Sequence, residues 1–298
     1  MTTHSKSTFS AKSYAAFRPI YPQSLYDTIL TYHTGGHSSL LDLGCGHGLI
    51  SRHLSATFKN VLGTDPSPGM IAQATASTPS AEYPHVSFRE SAAERHSFLR
   101  PASVDMVTAG QASHWFSYPR VWSELARIVK PGGTLAFWGY KDHCFVDYPA
   151  ATRISDRYSY GAEKRLMGSY WPQPGRGIVQ DKLRQIVPPE EDWVDVRRIE
   201  YEPGTKGKES GEGTLFMHRR VTVGQCKSYV RTWSSFHGWQ EAHPGAVARE
   251  KGGRGDVVDE MFDEIAKEVP EFKDEGLEVE IEWGSAILLA RRKGGDGQ

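Results

Sequence analysis

With 298 residues, of which 38% are hydrophobic and 24% charged, the chain is long enough to bury a sizeable core and too ordinary in composition for a disordered or fibrous protein. Its 35 basic and 36 acidic side chains leave a formal charge of −1, which removes the long-range positive field by which nucleic-acid binders find a polyanion. Cys45, Cys144 and Cys226 are odd in number and never spaced as a CxxC pair, and no stretch resembles a secretory leader or approaches the roughly 18 apolar residues of a membrane span, so disulfide framework, zinc site and membrane partner are all disfavoured.

In chain order, the pattern predicts a cap segment over 1–37, in which Pro19 and Pro22 precede a helix carrying Leu25 and Ile29. A core over 38–140 then alternates short apolar runs with helix-period segments, as repeated strand–helix units over a parallel sheet do. Predicted strands are Leu40–Leu43, Val61–Thr64, Val86–Phe88, Val104–Ala109 and Thr134–Trp138. Between them, Ile50, Leu54 and Phe58 recur every fourth residue, Ser67-Pro68 supplies an N-cap with a first-turn proline, and Val121, Trp122, Leu125, Ile128 and Val129 form a further apolar face. Lys130-Pro131-Gly132-Gly133 ends that helix. An insertion over 141–190 is expected to act as a lid, and 191–298 to hold edge strands near Trp193–Tyr201 and Val279–Ala290, around a second helical insertion over 203–280. Glu260, Asp263 and Glu264 near Lys267 read as the solvated face of a helix.

The most informative segment is Leu40-Leu41-Asp42-Leu43-Gly44-Cys45-Gly46-His47-Gly48, an apolar strand running into three glycines and a helix. A ligand that approaches the backbone this closely excludes side chains, and such turns require positive φ. In an open parallel sheet the turn borders the ligand crevice. A dinucleotide fingerprint is spaced GxGxxG, whereas these glycines are spaced GxGxG behind Asp42, whose carboxylate suits a ligand with an ammonium such as the methionine part of S-adenosylmethionine. Asp65 ends the next strand and can accept both hydroxyls of a ribose. Cys45, inside the turn, reads as a packing residue, since nothing nearby in sequence would depress its pKa.

On these residues, and on Tyr14-Ala-Ala-Phe-Arg18-Pro19-Ile-Tyr21-Pro22, Gln111-Ala-Ser-His114-Trp115-Phe116 and Lys130–Gly133, the chain resembles the class I S-adenosylmethionine-dependent methyltransferases, most closely the fungal and bacterial trans-aconitate methyltransferase-like group. The resemblance implies an α/β, Rossmann-like, mostly parallel sheet of seven strands flanked by helices. It also implies S-adenosylmethionine as cofactor, S-adenosylhomocysteine as product and no metal. Carried over onto this sequence, it places Gly44, Cys45 and Gly46 beside the cofactor, Asp65 on its ribose, Ala93 and Glu94 near the adenine, Gln111 near the methionine portion, and Tyr14 folded over it, with Pro66 and Met70 as further cofactor-binding candidates.

Methyl transfer from a sulfonium is an in-line displacement that demands chiefly alignment in a dry pocket. His114, just after the fourth strand, is the candidate general base, with a polar wall or a capped core histidine as the alternative. Arg18 and Arg231 are candidate partners for a substrate carboxylate. Tyr21, Trp115, Trp171 and Trp233 are candidate walls of the acceptor site. The acceptor is expected to be a small organic acid or secondary metabolite, methylated at a carboxyl, hydroxyl or thiol. A nicotinamide-dependent oxidoreductase and a non-catalytic cofactor-binding regulator are the readings from other classes. A cytoplasmic monomer or homodimer without nucleic-acid partners is expected.

Overall fold

The computed structural model describes residues 19–294, which fall into two compact units. The core unit takes Tyr21–Tyr140, Gly177–Glu200 and the chain from Ser285; the second unit takes Lys141–Arg176 and Tyr201–Gly284.

In the core unit, helix α1 (Gln23–Tyr32) buries Leu25, Tyr26, Ile29 and Tyr32, one face at helical spacing. Four parallel strands follow: β1 (Leu40–Leu43), β2 (Val61–Asp65), β3 (Val86–Glu90) and β4 (Val104–Gly110), with β1 paired to both β2 and β4, and β2 to β3. Strands β1 and β4 are apolar almost throughout and nearly wholly buried, as strands covered on both faces must be. The crossovers carry α2 (Leu49–Leu54), α3 (Pro68–Ala76) and α4 (Arg120–Ile128). Ser67 caps α3 by accepting the Met70 N–H with Pro68 behind it, and α4 buries Val121, Trp122, Leu125 and Ile128. The core between helices and sheet includes Leu41, Leu43, Val107, Leu125, Phe137 and Leu288.

Strand β5 (Val129–Phe145) starts directly at the end of α4. Its register against β4 jumps from Val104 opposite Val129 to Met106 opposite Thr134, so Lys130–Gly133 bulge out and Gly132 takes φ 75°. The predicted Thr134–Trp138 is the part of β5 that follows this bulge. The sheet order is β3-β2-β1-β4-β5-β9-β6-β7, with β8 paired to β9, where β6 is Trp193–Glu202, β7 Glu212–Gly213, β8 His218–Thr222 and β9 Glu278–Arg292.

The sheet therefore has nine strands among the described residues, not the seven expected. The two additional ones are short strands of the second unit: β7 pairs Gly213 and Glu212 antiparallel with Tyr201 and Glu202, and β8 pairs antiparallel with Glu278–Glu282. Neither carries the alternation of a half-buried strand, because β7 is fully exposed and β8 buries Val221 alone; β7 is defined by its pairing with the end of β6 and β8 by a partner distant in sequence. The second unit also contains α5 (Pro149–Tyr160), α7 (Val223–Val230), α8 (Ser234–Ala242) and α9 (Val257–Glu268); α6 (Gly175–Gln180) begins at its edge. No helix among the described residues is long and apolar enough to cross a membrane.

Candidate functional site

The glycine turn leaves β1 at its carboxyl end, with Gly44, Gly46 and Gly48 at φ 63°, 54° and 81°. Two of these glycines are demanded by neighbours: a Cβ on Gly44 would lie 2.5 Å from the Ala112 methyl, and one on Gly48 2.6 Å from the Phe88 ring. Gly46 is different, since among the described residues nothing lies within 4 Å of where its Cβ would be. Among those residues the turn therefore leaves its backbone uncovered at Gly46, as a closely approaching ligand needs. It is held from below, with the Cys45 N–H donating to the Thr64 carbonyl at 3.0 Å and the Gly48 N–H to the Cys45 carbonyl at 2.9 Å. Cys45 itself is buried, and burial pushes its thiol well above the ordinary range, in keeping with a packing role.

Asp65, the last residue of β2, closes the other side. Its Oδ2 accepts the Gly46 N–H at 3.1 Å and its Oδ1 the Ser67 N–H at 2.8 Å. An ionised carboxylate has about four lone-pair sites, so two are left for hydroxyls of a bound ligand. Desolvation raises the Asp65 pKa, opposed by these two N–H donors.

Asp42 is 0% exposed, and its carboxylate accepts Ser51 Oγ at 2.7 Å and Thr108 Oγ1 at 3.1 Å, tying β1 to α2 and β4 beneath the turn. In this position Asp42 supports the glycine turn from its interior side. Burial pushes its pKa up to about 7, and the two hydroxyls only partly offset this.

Gln111 stands at the crevice end of β4. Its backbone stands at φ 53° and its side-chain amide pairs both ways with Tyr140, donating to the carbonyl and accepting the N–H at 2.8 Å each. The side chain thus extends the β4–β5 ladder, and the positive φ turns the chain at the crevice end of β4. The Glu94 carboxylate accepts the Ser117 N–H at 2.6 Å, Ala93 and Met70 are buried, and Pro66 is exposed. The Ser91 N–H donates to the Asp65 carbonyl at 3.1 Å, which brings the 91–94 segment beside the end of β2.

His114 lies in a 3-10 turn, Ser113–Trp115, buried at 8% exposure with its ring 4.8 Å from that of half-buried Trp115. Tyr21 packs edge-on against Trp138 at 5.4 Å, in a cluster with Tyr26 and Tyr140. Tyr14 and Arg18 lie outside the described residues.

In the second unit, Trp171 is half-buried and donates through Nε1 to the Ser159 carbonyl at 2.6 Å, while Trp233 is buried 5.7 Å from it. Arg231 is engaged by the protein itself. Its Nε and Nη2 reach the buried Asp256 at 2.8 and 3.0 Å, and Nη2 also reaches Asp259 at 3.0 Å. With its guanidinium held by two internal carboxylates, Arg231 fixes the start of α9. Sequence reasoning passed over Arg176, whose buried guanidinium meets Asp142 and Tyr160 and lies 3.9 Å over Trp171. Its only sequence signal is a place after the Pro172–Gly175 breaker, which says nothing about burial.

Geometry thus defines a nucleotide-type cofactor crevice at the carboxyl edge of a doubly wound sheet. Comparison with known proteins names the class. A methyltransferase domain family matches residues 41–137. The probable S-adenosylmethionine-dependent methyltransferase CRG1 of Saccharomyces cerevisiae is 31% identical over 98% of this chain and 99% of its own length. The methyltransferase pgmE of Aspergillus terreus is 26% identical over 64% of this chain and 62% of its own. Among solved structures, a putative type II methyltransferase from Anaeromyxobacter dehalogenans superposes with a TM-score of 0.68 at 26% identity, covering 92% of this chain and 98% of the other.

The chain belongs to the S-adenosylmethionine-dependent methyltransferases, and S-adenosylmethionine is its cofactor. The crevice residues fit that group: among the described residues nothing stands over Gly46, and Asp65, which accepts two N–H donors, has oxygen lone pairs that ribose hydroxyls would take. When bound, the cofactor supplies an electrophilic methyl on a sulfonium. Among the described residues, no group of three or more His, Cys, Asp or Glu side chains is arranged to hold a metal ion.

Proposed function

We propose that the protein methylates a small organic acceptor at a carboxyl, hydroxyl or thiol group. The observation that carries this reading is the open face of Gly46 beside the half-satisfied carboxylate of Asp65, which makes the turn a ligand cradle and not merely a tight connection. A small acceptor is supported by the near-zero formal charge of −1, which offers no field for a polyanionic one. The three cysteines are buried free thiols, which suits the cytoplasmic setting expected from the sequence.

In this reading the protein contributes position. The Gly44–Gly48 backbone and Asp65 hold the nucleoside and its chain, Asp42 keeps the turn in shape from below, and transfer follows from alignment. Calorimetric titration with S-adenosylmethionine and S-adenosylhomocysteine tests it. Both ligands should bind the wild-type protein, and Asp65→Ala should weaken both by about tenfold or more, as loss of a charge-assisted hydrogen-bond partner predicts. A folded wild-type protein that binds neither ligand sinks the proposal.

A further inference from the structure

Inside the core unit, His96 is 0% exposed, yet half of its imidazole is left unserved. Nε2 lies 3.3 Å from Thr64 Oγ1, while Nδ1 is buried with no hydrogen-bond partner among the described residues and stands 3.8 Å from Glu124 Oε1, too far for one. Burial lowers the pKa of the ring, against the opposing pull of Glu124. A buried polar atom without a partner costs stability that an apolar side chain of similar size would not. Packing alone therefore does not account for an imidazole here.

Its surroundings supply another task. The chain that leaves β3 runs from Ser91 to Leu99 outside any strand, so its backbone groups need partners from elsewhere, and α4 provides them. Glu124 Oε1 accepts the His96 N–H at 2.6 Å. Arg127, whose fork closes on Glu124 at 2.9 and 2.7 Å, donates to the carbonyls of His96 at 3.0 Å and Leu99 at 2.8 Å. This clamp uses the backbone of His96 and leaves the ring to reach across to β2. There it meets Thr64, whose carbonyl accepts the Cys45 N–H of the glycine turn and which directly precedes Asp65. One residue thus joins the loop after β3, helix α4 and the end of β2.

Along the carboxyl edge the strands stand in the order β3, β2, β1. With the amino-acid chain of the cofactor at the turn after β1 and its ribose at Asp65 after β2, the place left for the base is beside the loop after β3, where the Ser91 N–H donates to the Asp65 carbonyl at 3.1 Å. We propose that His96 is a positioning residue for the cofactor, which through Thr64 fixes the base-side loop against the ribose-binding end of β2 before the cofactor arrives. A loop already seated spares the ligand the cost of ordering it, and apparent affinity falls with the fraction of molecules in which the loop is unseated. The inference rests on the cofactor assignment above. His96 acts through Thr64 and the loop, and no bond is made or broken at the ring.

Calorimetric titration with S-adenosylhomocysteine, paired with urea unfolding of the unliganded protein, tests it in the wild type, His96→Leu, Thr64→Val, the double variant and His96→Gln. Removing the unpaired nitrogen in His96→Leu should leave stability equal to or above that of the wild type, while affinity for S-adenosylhomocysteine falls about fivefold, in the range of one neutral hydrogen bond. Thr64→Val should show the same loss of affinity, and the double variant no more than either single one, because all three cut one link. His96→Gln, whose amide can again pair with Thr64, should recover most of the affinity without any gain in stability over His96→Leu. If His96→Leu fails to fold, Thr64→Val decides by the same loss or its absence. Wild-type affinity in either single variant, losses that multiply in the double variant, or affinities that simply follow stability across the set overturn the proposal. A wild-type protein that does not bind S-adenosylhomocysteine overturns the cofactor assignment itself, and this inference with it.

Discussion

At the scale of the residue, Asp42 shows how a motif fixes the place of a side chain and leaves its partners open. Its position at the tip of an apolar strand before GxGxG is plain in the sequence, but the direction of its carboxylate is not. The structure turns it inward, where Ser51 and Thr108 donate to it. That arrangement has a consequence for stability. The folded pKa, pushed up to about 7 from an ordinary 3.8, means that the native state holds a proton the unfolded chain has already released. Stability from this group is therefore complete below about pH 3.8 and declines as pH rises to about 7, by about 1.4 kcal/mol for each pH unit between the two values. Asp42→Asn, which keeps an acceptor for either hydroxyl, should remove that decline. Urea unfolding of both proteins at pH 5 and pH 8 checks it: the wild type should lose stability relative to the variant at pH 8, and parallel behaviour would refute the assignment.

Among the elements, the legible ones are those whose signal is local. Strands β1 to β4 stand within two residues of the predicted limits, because each is a short apolar run bounded by turn residues. Strand β5 extends well past its predicted end, since Lys141-Asp142-His143 interrupts the apolar run that the sheet nevertheless continues through. In the second unit the helix read from Glu260, Asp263 and Glu264 is α9, whereas α8 was hidden by Gly238, where a Cβ would stand 3.2 Å from the Tyr170 side chain. Helix α9 carries its own start signal. Asp256 is its N-cap, accepts the N–H groups of Val258 and Asp259, and forms a reciprocal capping box with Asp259. It also takes both arms of Arg231, so Asp256→Ala would remove the cap and leave a buried guanidinium short of a partner. The expected cost is about 3–5 kcal/mol, well above the 0.5–2 kcal/mol of a cap alone. Chemical denaturation measures it, and a loss under about 1 kcal/mol would show that Asp259 suffices.

For the molecule as a whole, the methyltransferase assignment carries a thermodynamic expectation. A ligand that binds only the folded chain stabilises it by about 2.7 kcal/mol at a hundred times its Kd. For a chain of this size, about 2–4 °C per kcal/mol makes that a rise of roughly 5–10 °C in Tm with S-adenosylhomocysteine. Thermal scans with and without the ligand, and with NADH as the control, read it directly; a rise with NADH alone would return the oxidoreductase reading to the front. What the sequence determined by itself is the doubly wound core, its glycine turn and the acidic residues on either side, because apolar runs, glycine spacing and caps act over a few neighbouring residues. Only the tertiary structure decided what the polar side chains face: Asp42 inward, Gln111 onto Tyr140, Arg231 onto Asp256, and Arg176 onto Asp142. It also decided the strands β7 and β8, since the hairpin partner of an exposed two-residue strand, a partner dozens of residues away for β8, and burial itself are properties of the folded chain that no local pattern encodes.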